Sequence, residues 1–153
     1  MAGAKIRLVY GGASIGIMGA IARAVLEEGG EVTGIIPEFL TRREGIFDSL
    51  TQTIITKSMH ERKQLMFERA DGFVALPGGI GTLEELVEMM TWLQLGRHKK
   101  PIVLGNINGF WQPFVDLMGH MTTQGFIHGA MPISFKVAEN AEDILPKLLE
   151  NNG

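Results

Sequence analysis

The sequence predicts an α/β fold, a parallel sheet covered by helices on both faces. Two observations point to it. Short apolar, β-branched runs alternate with segments of helical periodicity along the whole chain. Two of the strand-to-helix joins are rich in glycine, YGGASIGIMG at positions 10–19 and PGGIGTLEE at positions 77–85. Sheets of this kind bind ligands outside the carboxyl ends of their strands, where such joins lie. A length of 153 residues, with no repeat, linker or low-complexity tract, leads us to expect one domain over 1–153.

The elements follow in order. Ile6–Tyr10 reads as a buried strand that stops at Gly11 and Gly12. From Ile15 to Glu28, the residues Ile17, Met18, Ile21, Ala24, Val25 and Leu26 recur at helical spacing, and Gly29 and Gly30 supply the stop. Val32–Ile36 is the next strand, ended by Pro37, and Thr53–Thr56 another; residues 37–50 between them show no strong period. Ser58 with Glu61 is a capping box, opening a helix that runs to about Ala70. Gly72–Leu76 is a buried strand and Leu83–Leu95 a helix with Leu86, Val87, Met90 and Leu93 on its apolar face. Pro101–Leu104 is a strand, Trp111–Thr123 a helix and Ser134–Val137 a last strand. Asn140 caps a final helix through Leu149, with Pro146 at its middle.

Composition excludes several classes of function. There are 20 glycines, nearly twice the usual ~7% share, without the period of collagen. A chain 45% apolar buries enough surface to offset its ordering entropy, so disorder is excluded. The net charge of −3 and the lack of a Lys/Arg block argue against a nucleic-acid partner. With no cysteine there is no disulfide and no thiolate chemistry, which suits a reducing cytosol. No signal pattern opens the chain and no apolar run reaches the ~20 residues of a membrane span, so a soluble cytoplasmic domain without a membrane partner is expected. His98, His120 and His128 fall in no metal-ligand spacing and no HExxH occurs, so no metal is expected.

In both glycine turns the backbone lies open to a ligand and the amides of the next helix point at it, an arrangement that favours a phosphate. Neither matches the dinucleotide fingerprint or the Walker pattern. Gly11, Gly12 and Gly16 of the first turn either bind phosphate or serve only tight turns and close packing. In the second turn Thr82 adds a hydroxyl, and Glu84 and Glu85 are expected in the first helical turn, about 100° apart and so on different faces. Arg62 and Lys63 are placed in the first turn of their helix, the end the dipole makes unfavourable for cations, which suggests that a bound anion compensates. His60 has either a direct role or a supporting or capping one beside that group, and Met59 reads as core filler or as a supporting neighbour. The other methionines, Met66, Met89, Met90, Met118 and Met121, read as core filler.

SMHERK at 58–63, PGGIGTLEE at 77–85 and TWLQLGRHKKP at 91–101 together resemble the LONELY GUY family, the cytokinin riboside 5′-monophosphate phosphoribohydrolases, formerly described as lysine decarboxylases. The resemblance runs from LVYGG to about residue 150. It implies a Rossmann-like fold, a homodimer with sites at the interface, no organic cofactor, and cleavage of the N-glycosidic bond of AMP or an N6-substituted AMP to free base and ribose 5-phosphate. Matched by motif, Arg62 and Glu85 are the catalytic pair, and Lys63, Gly78, Gly79, Ile80, Gly81, Thr82, Leu83 and Glu84 the substrate-binding stretch. Thr91 and Glu44 also fall at substrate-binding positions. In this chemistry a carboxylate, Glu85, stabilises the oxocarbenium-like centre or guides water. Arg62 either clamps the phosphate or assists the leaving base. The amides of Gly79, Gly81 and Thr82 are the expected phosphate cradle.

The family pattern carries a further strand, glycine-serine loop and helix ahead of LVYGG, whereas five residues precede Ile6 here, so a sheet lacking that first β-α unit is expected. A non-catalytic nucleotide-binding or sensor module with the same two turns is the alternative. A decarboxylase would need a lysine forming a Schiff base with pyridoxal phosphate. Lys63 lies at the candidate site, but no pyridinium partner can be assigned. Trp92, Leu95 and the methionines supply either a dimer seam or core.

Overall fold

The computed structural model describes residues 1–44, 47–127 and 133–150, with the backbone alone for residues 43 and 44. The chain is α/β, with parallel sheets flanked by helices, and divides into two compact units, Met1–Ala70 and Asp71–Gly153.

The first unit runs β1 (Leu8–Tyr10), α1 (Gly16–Glu27), β2 (Val32–Pro37), α2 (Glu38–Glu44), β3 (Gln52–Thr56) and α3 (Met59–Arg69). Its sheet has the order β1-β2-β3, all parallel, with Leu8 opposite Val32, Tyr10 opposite Gly34 and Pro37 opposite Thr56. Central β2 is the apolar run buried on both faces: Val32, Ile35 and Ile36 are fully buried, each stabilising the fold by roughly 1.5–3 kcal/mol. Outer β1 and β3 are less covered than their apolar sequences suggested, and Ile55 is half exposed. Tyr10, Ala22, Val25 and Val32 form the core beneath α1, with Leu8, Ile21, Leu26 and Leu50 around them.

Helix α1 stops as the glycine pair predicts. The Gly30 amide donates to the Val25 carbonyl at 2.8 Å and the Gly29 amide to Leu26 at 2.9 Å, a Schellman closure. The capping box also forms: the Glu61 amide donates to Ser58 Oγ at 3.1 Å, while the Glu61 carboxylate accepts from the Lys57 amide at 2.7 Å. Helix α2 is an addition to the sequence reading. Its seven residues are too few to establish a period.

The second unit runs β4 (Phe73–Ala75), α4 (Ile80–Gln94), β5 (Ile102–Gly105), α5 (Gln112–Thr123), β6 (Lys136–Ala138) and α6 (Ala141–Leu149). The sheet order is β4-β5-β6, again parallel, with Ala75 opposite Leu104 and Gly105 opposite Ala138. Central β5 is buried throughout, and Val103 and Ala138 pack with Ile144 and Leu148 of α6. Outer β4 leaves Val74 partly exposed.

Three expectations need correction here. Helix α4 begins at Ile80 rather than Leu83, because the PGG turn delivers the chain into helix at once; Glu84 and Glu85 therefore lie beyond its first turn. Its buried face is Leu86, Met89 and Met90, with Val87 turned outward at 44% exposure. Asn140 precedes α6, but its side chain donates to the Asp143 carboxylate at 3.1 Å instead of capping the helix amides.

Asn106, buried just after β5, ties together the ends of this sheet. Its Oδ1 accepts from the Trp111 amide at 2.7 Å and its Nδ2 donates to the Glu139 carboxylate at 3.1 Å, while the Trp111 indole donates to the Ala75 carbonyl at 3.1 Å. Replacing Asn106 by Ala strands a buried amide, and a loss of about 3 kcal/mol in urea unfolding is expected, with a weakened near-ultraviolet signal from Trp111. In the first unit, Tyr10 donates its hydroxyl to the Ala13 carbonyl at 3.1 Å, and burial pushes its pKa above the ordinary tyrosine value, with the Arg23 charge acting in the opposite direction. The unfolded chain loses this proton near pH ~10 and the folded chain only at higher pH, so stability is full below that point and falls as pH rises through it. Tyr10→Phe should cost about 1 kcal/mol at neutral pH and flatten the alkaline decline, as read by unfolding curves at a series of pH values.

Candidate functional site

In the first unit β2 outruns β1. Pairing between them ends at Tyr10 and Gly34, where β1 turns away through Gly11, while β2 continues beside β3 to Pro37. Beyond that point the Ile35 carbonyl accepts a hydrogen bond from Arg62 Nε at 3.1 Å. The capping box sets the start of α3, and Arg62, four residues after Ser58, is the buried residue of that helix at 7% exposure. Its Nη2 donates to the Gly11 carbonyl at 3.4 Å, and Nη1 has the Met59 thioether at 3.8 Å.

Among the described residues no carboxylate meets Arg62: its partners are two neutral carbonyls and a weak sulfur acceptor. The Nε/Nη2 edge, the side-on fork that arginine commonly offers an anion, is occupied by backbone. The Nη1 end therefore remains to meet a ligand. A buried cation without an opposite charge is costly, and an anion or electron-rich group arriving at Nη1 relieves that cost.

The residues expected around Arg62 divide. Met59, half-buried, and Gly11 touch the guanidinium, whereas His60 is exposed on the outer side of the helix start. Lys63 is half-buried on the next position of α3. Gly12 adopts φ +81°, and a Cβ there would press on Ile36 at 3.2 Å, so the turn itself requires this glycine. Gly16 opens α1, whose Ile15 N-cap provides no side-chain bond. Glu44 ends α2, and its side chain lies outside the described residues.

In the second unit the turn after β4 leads into α4 through Gly79, an N-cap without a side-chain bond. The first helical acceptor is the Gly79 carbonyl, taken by Leu83 N at 3.1 Å, so the amides of Ile80, Gly81 and Thr82 precede the helical ladder and carry its positive end. The glycines of this turn differ in their reasons. A Cβ on Gly78 would collide with the Thr82 side chain, whereas at Gly79 and Gly81 it would meet nothing within 4 Å. The chain's own packing thus demands glycine only at Gly78; the space beside Gly79 and Gly81 is open to a ligand.

Glu84 is exposed and Glu85 half-buried, so the two carboxylates face different surroundings, as their spacing requires. Along α4 the positions Ile80, Glu84, Val87, Thr91 and Leu95 recur at helical spacing and all are exposed, Ile80 at 83% and Leu95 at 61%. Thr91 donates its hydroxyl back to the Val87 carbonyl at 2.8 Å, which leaves the oxygen lone pairs outward. Leu83 is half-buried between the glycine turn and the carboxylates.

Of the methionines read as filler, Met89, Met90 and Met118 are buried and Met66 and Met121 half-buried. His98 is buried on the Met89 carbonyl at 2.9 Å and accepts from the Lys100 amide at 3.1 Å, a structural histidine; His128 lies outside the described residues. No group of three His, Cys, Asp or Glu able to hold a metal occurs among the described residues, and no described helix is long and apolar enough to cross a membrane. The Ile35 carbonyl is the contributor that sequence reasoning missed, since a backbone acceptor carries no residue signature.

Comparison with known proteins adds a family. A cytokinin riboside 5′-monophosphate phosphoribohydrolase of Rhodococcoides fascians is 48% identical over 128 residues, covering 83% of this chain and 65% of the relative. One from Oryza sativa subsp. japonica is 45% identical, covering 95% of this chain and 60% of its own length. One from Arabidopsis thaliana is 43% identical over 146 residues, covering 95% and 68%. The chain thus spans about two thirds of the length of the curated relatives it matches. The family model described as "Possible lysine decarboxylase" matches residues 18–148. With most of the chain inside that match and the SMHERK and PGGIGTLEE segments in place, the chain belongs to this family, the one to which the LONELY GUY proteins belong.

Proposed function

We propose that this chain hydrolyses the N-glycosidic bond of a nucleoside 5′-monophosphate, AMP or an N6-substituted AMP, releasing the free base and ribose 5-phosphate. The buried Arg62 guanidinium, held on carbonyls with no carboxylate among its described partners, is the observation that carries the reading. A dehydrated cation kept in place by neutral dipoles suits an anionic or electron-rich substrate. The activity for which the relatives are named supports the same reaction class.

The chemistry asks three things of the protein. As the bond from C1′ to the base nitrogen breaks, its electron pair leaves with the base and positive charge develops on the ribose. Glu85, in α4, stabilises that charge and orients the water that attacks C1′, accepting the proton that, by way of solvent, ends on the departing base nitrogen. The 5′-phosphate is fixed by the amides of Ile80, Gly81 and Thr82 at the start of α4, where the absence of a side-chain cap leaves donors for it. Arg62 presents its Nη1 end to the phosphate or the departing base, with Lys63 as a second cation. None of these steps uses an organic cofactor or a metal.

The exposed α4 stripe supports assembly as a homodimer. Glu84 and Thr91, matched to substrate-binding positions, share one face with Ile80, Val87 and Leu95. A second copy seated on that face would cover the apolar side chains and close the substrate's surroundings at once.

Three outcomes test this. Incubation with AMP and with isopentenyladenosine monophosphate, followed by chromatography, should yield free base from at least one. Glu85→Gln should lower kcat by at least a hundredfold while calorimetry still records AMP binding. Absence of base from both substrates with the folded protein overturns the hydrolase reading, and tight binding without hydrolysis then indicates a nucleotide-binding module. Val87→Asp should shift the sedimentation coefficient to that of a monomer and reduce turnover together; an unchanged dimer would remove α4 from the interface.

A further inference from the structure

We propose that Gly11 is a positioning residue for Arg62: its missing side chain is the space in which the guanidinium lies, and its carbonyl, with that of Ile35, sets the direction in which Nη1 points. The inference rests on Arg62 acting on the substrate, as read above, and concerns how the chain aims it. Gly11 is buried, and a Cβ built on it would overlap Arg62 Nη2, with Arg62 Cζ at 3.2 Å and Met18 Sδ at 3.4 Å.

The neighbouring glycines of the same turn serve other ends. Gly12 has φ +81°, so a side chain there strains the backbone, and a Cβ at Gly19 would strike the Ser14 carbonyl, which is backbone too. Both are demands of the fold. Gly11 is outside the left-handed region, so alanine meets no backbone objection there, and the collision falls on the far end of a long, flexible side chain. Gly11→Ala therefore leaves β1 and α1 able to form and displaces the guanidinium.

Displacement matters because the cradle fixes orientation. A planar guanidinium bound through Nε to Ile35 and through Nη2 to Gly11 has one remaining direction for its Nη1 hydrogens. The Met59 sulfur at 3.8 Å competes only weakly for them. Pushed off Gly11 by a methyl group, Arg62 keeps its charge and loses this aim. A shift of ~1 Å in a positioned group costs on the order of a hundredfold in rate.

The test compares wild type, Gly11→Ala, Arg62→Ala and the double variant by AMP turnover, AMP affinity, melting temperature and hydrogen exchange of the Arg62 Nε–H followed by NMR. We expect Gly11→Ala to lower kcat by about a hundredfold, to hold its melting temperature near that of wild type, and to speed exchange of the Nε–H. In the Arg62→Ala background the same change should leave AMP affinity and melting temperature unmoved. Full turnover in Gly11→Ala, or an equal loss of affinity in both backgrounds, overturns the proposal. A wild type that releases base from neither AMP nor isopentenyladenosine monophosphate overturns the hydrolase reading instead. The Arg62 Nε–H then decides the cradle separately, because unchanged exchange in Gly11→Ala overturns it.

Discussion

Taking a guanidinium out of water costs several kcal/mol unless something answers its charge, and among the described residues Arg62 is answered by carbonyl dipoles, with no carboxylate beside it. Much of the local architecture bears on that arrangement. The capping box fixes where α3 begins and thus which residue turns inward. The Ile35 carbonyl lies one residue past the last β1–β2 pair, and the turn at Gly11 supplies both a second carbonyl and the room. A carboxylate in the same place would neutralise the cation and leave it little to offer a substrate. Neutral dipoles hold it without quenching it.

The two glycine turns look alike in sequence and divide in structure. In YGGASIGIMG three of the four glycines meet the chain's own atoms, Gly11 facing Arg62, Gly12 facing Ile36 and Gly19 facing Ser14, while a Cβ on Gly16 would meet nothing within 4 Å. In PGGIGT only Gly78 does so, against Thr82, and Gly79 and Gly81 border open space at a helix start without a side-chain cap. The packing reading is therefore sufficient for most of the first turn and insufficient for the second. Composition alone, an excess of glycine, does not distinguish these uses.

Much of the fold was legible from residue pattern. The alternation of apolar runs and helical periods gave the parallel α/β class, Gly29 and Gly30 gave the end of α1, and Ser58 with Glu61 gave the start of α3, because each depends on local chemistry that sequence displays directly. The start of α4 was misplaced by three residues, since PGG permits helix immediately and Ile80-Gly81-Thr82 has no strong helical signature of its own. Val87, about 100° round the helix from buried Leu86, lies on the outward face because the packing side is centred on Leu86, Met89 and Met90. Helix α2 escaped notice because EFLTRRE is shorter than two turns. Of the candidate site, the residue types could be read through motif resemblance, but the support of Arg62 could not, for it is made of backbone carbonyls and of an absence of side chain.

The unequal length of β1 and β2 has a further consequence. The acceptor that receives Arg62 Nε exists because the sheet stops pairing at Gly34 on that side, so a strand's end point, rather than the identity of any side chain, determines the electrostatics of a buried cation. Insertions in surface loops are ordinarily tolerated, yet an added residue between Tyr10 and Gly16 that let β1 continue along β2 would set a strand amide against that carbonyl in competition with Arg62. The boundary between sheet and loop is here a heritable property under chemical constraint, one that an inventory of substitutions alone would never register.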